Sequence, residues 1–317
     1  MEKLEIKYGV EGNYRDITKW VIRYCIIRNK ICISKDDNLR AYVFGDHIPG
    51  VLKHIIFIDN VNGIERRYNH NEDIEYELNF RIDVDSEKEL KWEVLSGMHD
   101  IETKIKHIHN NINMIGGSLR DELNEQYMVL RYLDPKSKVL ELGSNIGRNT
   151  CVISSILEDE NQFVTCESDP TSVEVLKKNR FVNRFHFGIE DSALSYQKLI
   201  QRNWVTIPSE EVLEGYFPVK TITFEELEDK YQIQFDTLVA DCEGALYYIC
   251  KDNENILNHI KTIILESDFY DESQKIYMMD VFDRRGFRRV YSESLRGHYP
   301  QFPKICRDSF YEVWVRE

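Results

Sequence analysis

The stretch VLELGSNIGRN, Val139 to Asn149, holds two glycines four residues apart, Gly143 and Gly147, directly after a short apolar run. An apolar strand, a glycine turn and a helix starting near Arg148 form the opening unit of a nucleotide-binding α/β sheet. A dinucleotide fingerprint has a third glycine, so that a pyrophosphate can lie on the helix N-terminus. Here Ser144 and Asn145 stand between the two glycines, and Glu141 lies two residues before the first. Gly143 lets backbone approach a ligand without a Cβ in the way. An acid at that place repels a phosphate and suits a cationic ligand.

The pattern around this stretch agrees. From Lys138 onward, strand-like runs alternate with helical ones: KVLELGS, QFVTCES, RFHFGIE, FDTLVADC, KTIILESD, FRRVYSE and FYEVWV. Helices are expected over 149–157, 171–183, 245–259 and 273–285. This alternation predicts a doubly wound, Rossmann-like α/β sheet over residues 138–317. Residues 96–137 read as a helical linker broken at Gly116-Gly117, with Ser118 as N-cap and Asp121 and Glu122 in the first turn. Residues 1–95 read as a small β-sandwich-like accessory module built from KLEIKYG, KICIS, RAYVFGD, KHIIFID and IEYELNFRIDV, with a short helix over DITKWVIRYCII.

The chain has 317 residues and a net charge of −14. Residues 1–95 contribute −3 and the remainder −11, so the glycine turn lies in the acidic part. A protein that grips nucleic-acid backbone usually shows the opposite balance, which speaks against a nucleic-acid partner. No apolar run approaches a membrane span. The opening MEKLEIKYGVEG is charged, and the seven cysteines include no CxxC pair. An intracellular, cytoplasmic protein with reduced thiols is expected, with no membrane partner.

S-adenosylmethionine, a sulfonium without phosphate, suits the turn. In an α/β sheet the ligand lies at the carboxyl ends of the strands. Glu167 ends the second strand, 24 residues after Gly143, where an acid can chelate two ribose hydroxyls. Ser168 follows it. Asp191 and Ser192, after the third strand, are placed either for contact with adenine or as caps of a helix over SALSYQKLIQ. Asp241 ends the fourth strand in LVADCEGA, where a carboxylate can orient a hydroxyl or take its proton. Glu243 follows on the same turn, either catalytic or bonding backbone at the helix start. Such a role needs a raised carboxylate pKa, from burial or neighbouring negative charge.

These residues resemble the FkbM-type class I methyltransferases. The matching runs are VLELGSNIG, CESDP with LKKN, ALS, VKTITFEEL, FDTLVADCEGALYYI and IILESD, in order from Lys138 to Asp268. The chain departs from the family at Glu141, where aspartate is more frequent, and at Ala240, where a lysine is frequent. The resemblance implies a seven-stranded sheet with the last strand antiparallel, S-adenosylmethionine as methyl donor, and O-methylation of a sugar, glycan or other hydroxylated small molecule. The alternatives are an RNA ribose 2′-O-methyltransferase, disfavoured by Ala240 and the acidic balance, and a non-catalytic scaffold that binds S-adenosylmethionine. The first 95 residues are similar to a β-rich module joined to varied partners, and similar two-part chains occur in large DNA viruses. Its expected role is substrate holding or self-association, with a symmetric dimer as the default.

Further residues bear on the acceptor. Trp204 in QRNWVTIP is either a stacking face on a lid or a buried anchor. His298 and Tyr299 in LRGHYPQFPK either line the acceptor pocket or sit on a plain surface loop. His107 and His109 are two apart and diverge on a helix, which disfavours a metal pair. Glu266 and Asp268 could hold a divalent cation with Asp241, but the expectation is a site without metal. No NPPY or PCQ motif of base methyltransferases occurs.

Overall fold

The computed structural model describes residues 3–78, 95–203 and 205–317. The chain divides into two units: Met1–Glu89 with Lys177–His186, and Leu90–Leu176 with Phe187–Glu317. Among the described residues, no helix is long and apolar enough to cross a membrane.

The larger unit is built on a seven-stranded sheet. Its strands are β1 (Val139–Leu142), β2 (Phe163–Cys166), β3 (Gly188–Glu190), β4 (Thr237–Ala240), β5 (Thr262–Glu266), β6 (Arg288–Glu293) and β7 (Tyr311–Val315). All seven expected strands are present. Their spatial order is β3-β2-β1-β4-β5-β7-β6. The first five run parallel, and β7 is antiparallel to both β5 and β6. Every residue of β1, β2 and β4 is buried, as expected of parallel strands covered on both faces.

The helices that matter for the site are α1 (Leu123–Tyr132), α2 (Arg148–Ile156), α3 (Pro170–Val182), α4 (Phe224–Tyr231), α5 (Ala245–Asp252) and α6 (Glu272–Arg284). Leu140, Leu142, Val164, Leu238, Ile263 and Leu265 alternate along the strands onto one face of the sheet. There they share a core with Leu227, Leu246, Ile249, Met278 and Val281 from α4, α5 and α6. Ser118 caps the turn before α1: its Oγ accepts the Arg120 amide, and its own amide donates to Asp121. The helix expected over 245–259 stops at Asp252. Asn253 there caps a separate 3₁₀ turn, Glu254–Leu257.

SALSYQKLIQ is not a helix. Ala193–Leu194 pairs with Thr221–Ile222, and Leu199–Arg202 is the central strand of a small antiparallel sheet with Val205–Pro208 and Phe217–Val219. The Ala193 and Ser195 amides donate to Lys220 and Ile222 carbonyls, so neighbouring strands take the groups a helix would have used.

The smaller unit holds two sheets. One runs Asn13–Asp16, Leu4–Val10, His54–Asp59, Ile64–Tyr68, and the other Ile26–Ile27, Lys30–Ile33, Ile74–Glu77. They share a core that includes Ile6, Tyr8, Ile31, Ile33, Phe57 and Ile74. The expected short helix is Thr18–Tyr24. RAYVFGD, read as a strand, belongs instead to a helix over Asp37–Phe44. The Asp36 side chain accepts the Asn38 and Leu39 amides and starts it, and Gly45 at φ 80° ends it. Asp36-Asp37-Asn38 looked like a turn between strands because capping residues and turn residues are the same types. Of the strand expected over 74–84, Ile74–Glu77 is present, and residues 79–84 lie outside the described residues.

Candidate active site

Strand order reverses between β1 and β4, and a cleft opens at their carboxyl ends, where such sheets hold ligands. It measures about 830 Å³ including its open mouth. Gly143 and Asn145 line it from the β1 turn, Glu167 and Ser168 from β2, Ser192 from β3, and Asp241, Cys242 and Glu243 from β4. Gln201 and Thr206 of the small antiparallel sheet close one side. Three carboxylates line the cleft, and among the described residues no lysine, arginine or histidine does.

The β1 turn is fixed by its neighbours. The Gly143 amide donates to the Cys166 carbonyl. A Cβ on Gly143 would lie 1.7 Å from the Asp241 carbonyl oxygen, and its φ is +85°. The glycine is therefore needed for the approach of the β4 loop, a demand the sequence did not show. Gly147 at φ +93° is the N-cap of α2, where a Cβ would press into Leu176.

Glu167 is half-buried at the end of β2, and burial raises its carboxyl above the usual range. One of its oxygens accepts the Asn145 amide at 2.7 Å and the other the Asp169 amide at 2.8 Å. Each oxygen keeps a second lone pair, so a pair of hydroxyls can still donate to it. Glu122, just before α1, seals the N-terminus of α2. Its carboxylate accepts the Asn149 amide at 3.2 Å and Arg148 Nη1 at 3.0 Å. An internal anion thus occupies the place a pyrophosphate would take in a dinucleotide fold.

Asp241 and Glu243 share the turn after β4. Glu243 holds φ +52°, a left-handed conformation that costs a non-glycine residue energy and recurs at functional sites. Asp268 anchors the turn by accepting the Gly244 amide at 2.9 Å, and Tyr270 donates to Glu243 at 2.8 Å. Burial, then the charges of Asp268 and Glu125, hold the Asp241 carboxyl well above the usual range. Burial, then Asp241 and Glu125, do the same to Glu266. Burial and the Glu243 charge push Asp268 up to about 7.

The structure gathers Gly143, Asn145, Glu167, Ser168, Ser192, Asp241 and Glu243 around one cleft. Glu141, Ser144, Gly147 and Asp191 are not among its lining residues. Glu141 points to the opposite sheet face, where Thr150 of α2 donates to it at 2.6 Å. Burial pushes its carboxyl up to about 8, so near neutral pH it supplies little negative charge. Ser144 is buried, and its Oγ has no partner. Asp191 is exposed and pairs with Lys220 at 2.7 Å, while Ser192 Oγ donates to Glu190. His298 and Tyr299 sit on an exposed loop, and Trp204 lies outside the described residues. Sequence reasoning missed Glu122 and Glu125 as parts of the site. Glu122 ends the 3₁₀ turn before α1 and Glu125 lies in the first turn of α1, and no local pattern marks either for a site. Cys166, buried, and Cys242, half-buried, border the cleft as thiols whose pKa burial raises, which disfavours them as nucleophiles.

No protein-family model and no curated protein matches the chain. Among solved structures it is similar to the ribosomal protein L11 methylase from Lactobacillus delbrueckii subsp. bulgaricus, with 10% identity, TM-score 0.41, and 64% of this chain and 82% of that one covered. It is also similar to an O-methyltransferase from Bacillus cereus in complex with SAH, with 12% identity, TM-score 0.38, and coverage of 71% and 94%. A third is precorrin-6y C5,15-methyltransferase from Geobacter metallireducens GS-15, with 10% identity, TM-score 0.38, and coverage of 66% and 96%. At these identities the likeness is one of fold.

Proposed function

We propose that this protein is an S-adenosylmethionine-dependent methyltransferase that acts on a hydroxyl of a sugar, glycan or other small molecule. The observation that carries this reading is the make-up of the cleft lining. Its lining holds three carboxylates and, among the described residues, no basic side chain, while the α2 N-terminus is already sealed by Glu122. Such a cleft offers a phosphate no cationic partner and suits a phosphate-free nucleoside. When bound, S-adenosylmethionine supplies an electrophilic methyl group on a sulfonium.

The residues present fit that donor. Glu167, preset by the Asn145 and Asp169 amides, accepts from ribose hydroxyls; hydrogen bonds to a charged acceptor contribute roughly 1.5–3 kcal/mol each. Leu142, Leu194 and Ile249 give the cleft its apolar wall. Asp241 borders the cleft, where it orients an acceptor hydroxyl and takes its proton. Positive charge brought into the cleft lowers the Asp241 pKa again and leaves the carboxylate ionised for that task. Alignment of the hydroxyl supplies much of the rate.

Calorimetric titration of S-adenosylmethionine into wild type and Glu167→Ala tests the donor assignment. Micromolar binding that the substitution abolishes is expected. No binding by folded wild type would overturn the assignment.

A further inference from the structure

We propose that the smaller unit binds single-stranded nucleic acid on a basic, aromatic face, with Trp20 and Tyr24 stacking on bases and Arg15, Lys19 and Arg184 reaching the phosphates. None of these residues takes part in the cleft, and the proposal does not rest on methyl transfer. It departs from the partner expected from whole-chain charge.

That charge averages over two unlike units. The smaller holds 18 lysines and arginines against 17 acids, a net +1, and the larger carries −15. Within the smaller unit the charges are segregated. Residues 17–35 and 177–186 together hold nine lysines and arginines and no aspartate or glutamate. The fold brings the two stretches together. The Arg184 guanidinium lies 5.4 Å from the centre of the Trp20 ring and 4.7 Å from that of Tyr24. The Phe44 ring meets both stretches, Trp20 at 5.1 Å and Phe181 at 6.0 Å.

The helix Thr18–Tyr24 decides which side chains face out. Thr18 and Val21 are buried. Lys19 and Arg23, four apart, are exposed, and Trp20 and Tyr24, also four apart, lie half-buried beside them. The two rings are 4.9 Å apart. Trp20 also borders a groove of about 500 Å³, counted with its open mouth, which Arg15, Asp16, Lys19 and Phe44 line. The one acid there, Asp16, is engaged by the Thr18 amide and hydroxyl. Among the described residues, Arg15, Lys19 and Arg184 have no carboxylate partner.

Cations beside open aromatic rings suit one class of partner. Rings stack on bases of any sequence, arginine adds its own stacking, and the cations alongside neutralise phosphates. A duplex hides its base faces, so the strand is single. An acidic peptide would use the cations and leave the rings idle. A membrane surface asks for exposed apolar side chains, and none of the exposed large apolar residues falls in the two stretches.

The test is fluorescence anisotropy of a labelled uridine oligomer of about 15 nucleotides, titrated with the full-length protein without S-adenosylmethionine. We expect affinity that falls with salt, with a log–log slope of about −2 for three neutralised phosphates at roughly 0.7 each. Lys19→Glu is an exposed change that keeps the fold, and it should lower both affinity and slope. Trp20→Leu should weaken binding about 5–100-fold, and Trp20→Phe, which keeps a ring, much less. Thermal melts of both variants separate lost stacking from lost folding. Folded wild type that does not bind at about 100 µM in about 50 mM salt overturns the proposal. So does affinity that Lys19→Glu and Arg184→Ala leave unchanged, which would place the contact elsewhere. Equal or tighter binding of the duplex form, of poly-glutamate or of phosphatidylserine vesicles also overturns it.

Discussion

Gly143 shows how one residue couples backbone to chemistry. Its missing side chain lets the β1 turn lie against the carbonyl of Asp241, and its φ of +85° suits no other residue. Gly143→Ala should therefore move the Asp241 loop as well as strain its own turn. A loss of at least about 2 kcal/mol is expected from the forced backbone conformation and the clash together, read as a lower urea midpoint at unchanged slope. Asp241 makes a different demand. Asp241→Asn keeps its shape and removes its basicity, so donor affinity should persist while turnover falls about 10²–10⁴-fold. Labelled methyl transfer to a panel of hydroxylated acceptors checks this, and turnover at the wild-type rate would remove the assigned role.

At the scale of elements, two carboxylates tie α2 into the fold in opposite ways. Glu122 stands outside the helix and caps it as an anion, with Arg148 as its partner. Glu122→Ala uncovers the helix N-terminus and should cost about 1–2 kcal/mol, visible in thermal melts. Glu141 lies beneath the helix and is held by Thr150 with its carboxyl pushed up to about 8 from an ordinary 4.5. Between those values the unfolded chain has released the proton that the folded chain still holds. The folded state therefore loses stability as pH rises through this window, by about 1.4 kcal/mol per pH unit for one such group. Below the lower value the contribution is fully present. Glu141→Gln should flatten this slope, and urea melts from about pH 5 to pH 8 compare the two proteins directly.

The whole molecule carries the same asymmetry. Asp241, Glu266, Asp268, Glu167 and Glu141 all have raised pKa values, and burial is the largest cause for each. The folded chain thus binds more protons than the unfolded chain at mildly acidic pH. Its melting temperature should fall as pH rises from about 5 to 8, beyond what Glu141 alone explains. A flat or rising profile would show that these carboxyls are not protonated when folded. The net charge of −14 acts in the same direction through self-repulsion, and added salt should lessen that part.

Local patterning determined much of this protein. The alternation of strands with helices marks all seven strands of the sheet, most clearly β1, β2 and β4, which are buried throughout because helices cover both faces of a parallel sheet. The positions of Gly143, Asn145, Glu167, Asp241 and Glu243 at strand ends place them at one edge of any such sheet. Patterning failed where one residue type serves two structures. Asp36 starts a helix where a turn was expected, and SALSYQKLIQ pairs with strands that arrive later in the chain. Tertiary structure alone decided which side of the sheet Glu141 faces, that Glu122 seals α2, and that Glu125 meets Asp241 and Glu266. The reason is distance along the chain: Glu125 and Glu266 are separated by most of the α/β fold, and only strand order brings their oxygens together. Charge, burial and pKa at the site follow from that meeting, which no local pattern encodes.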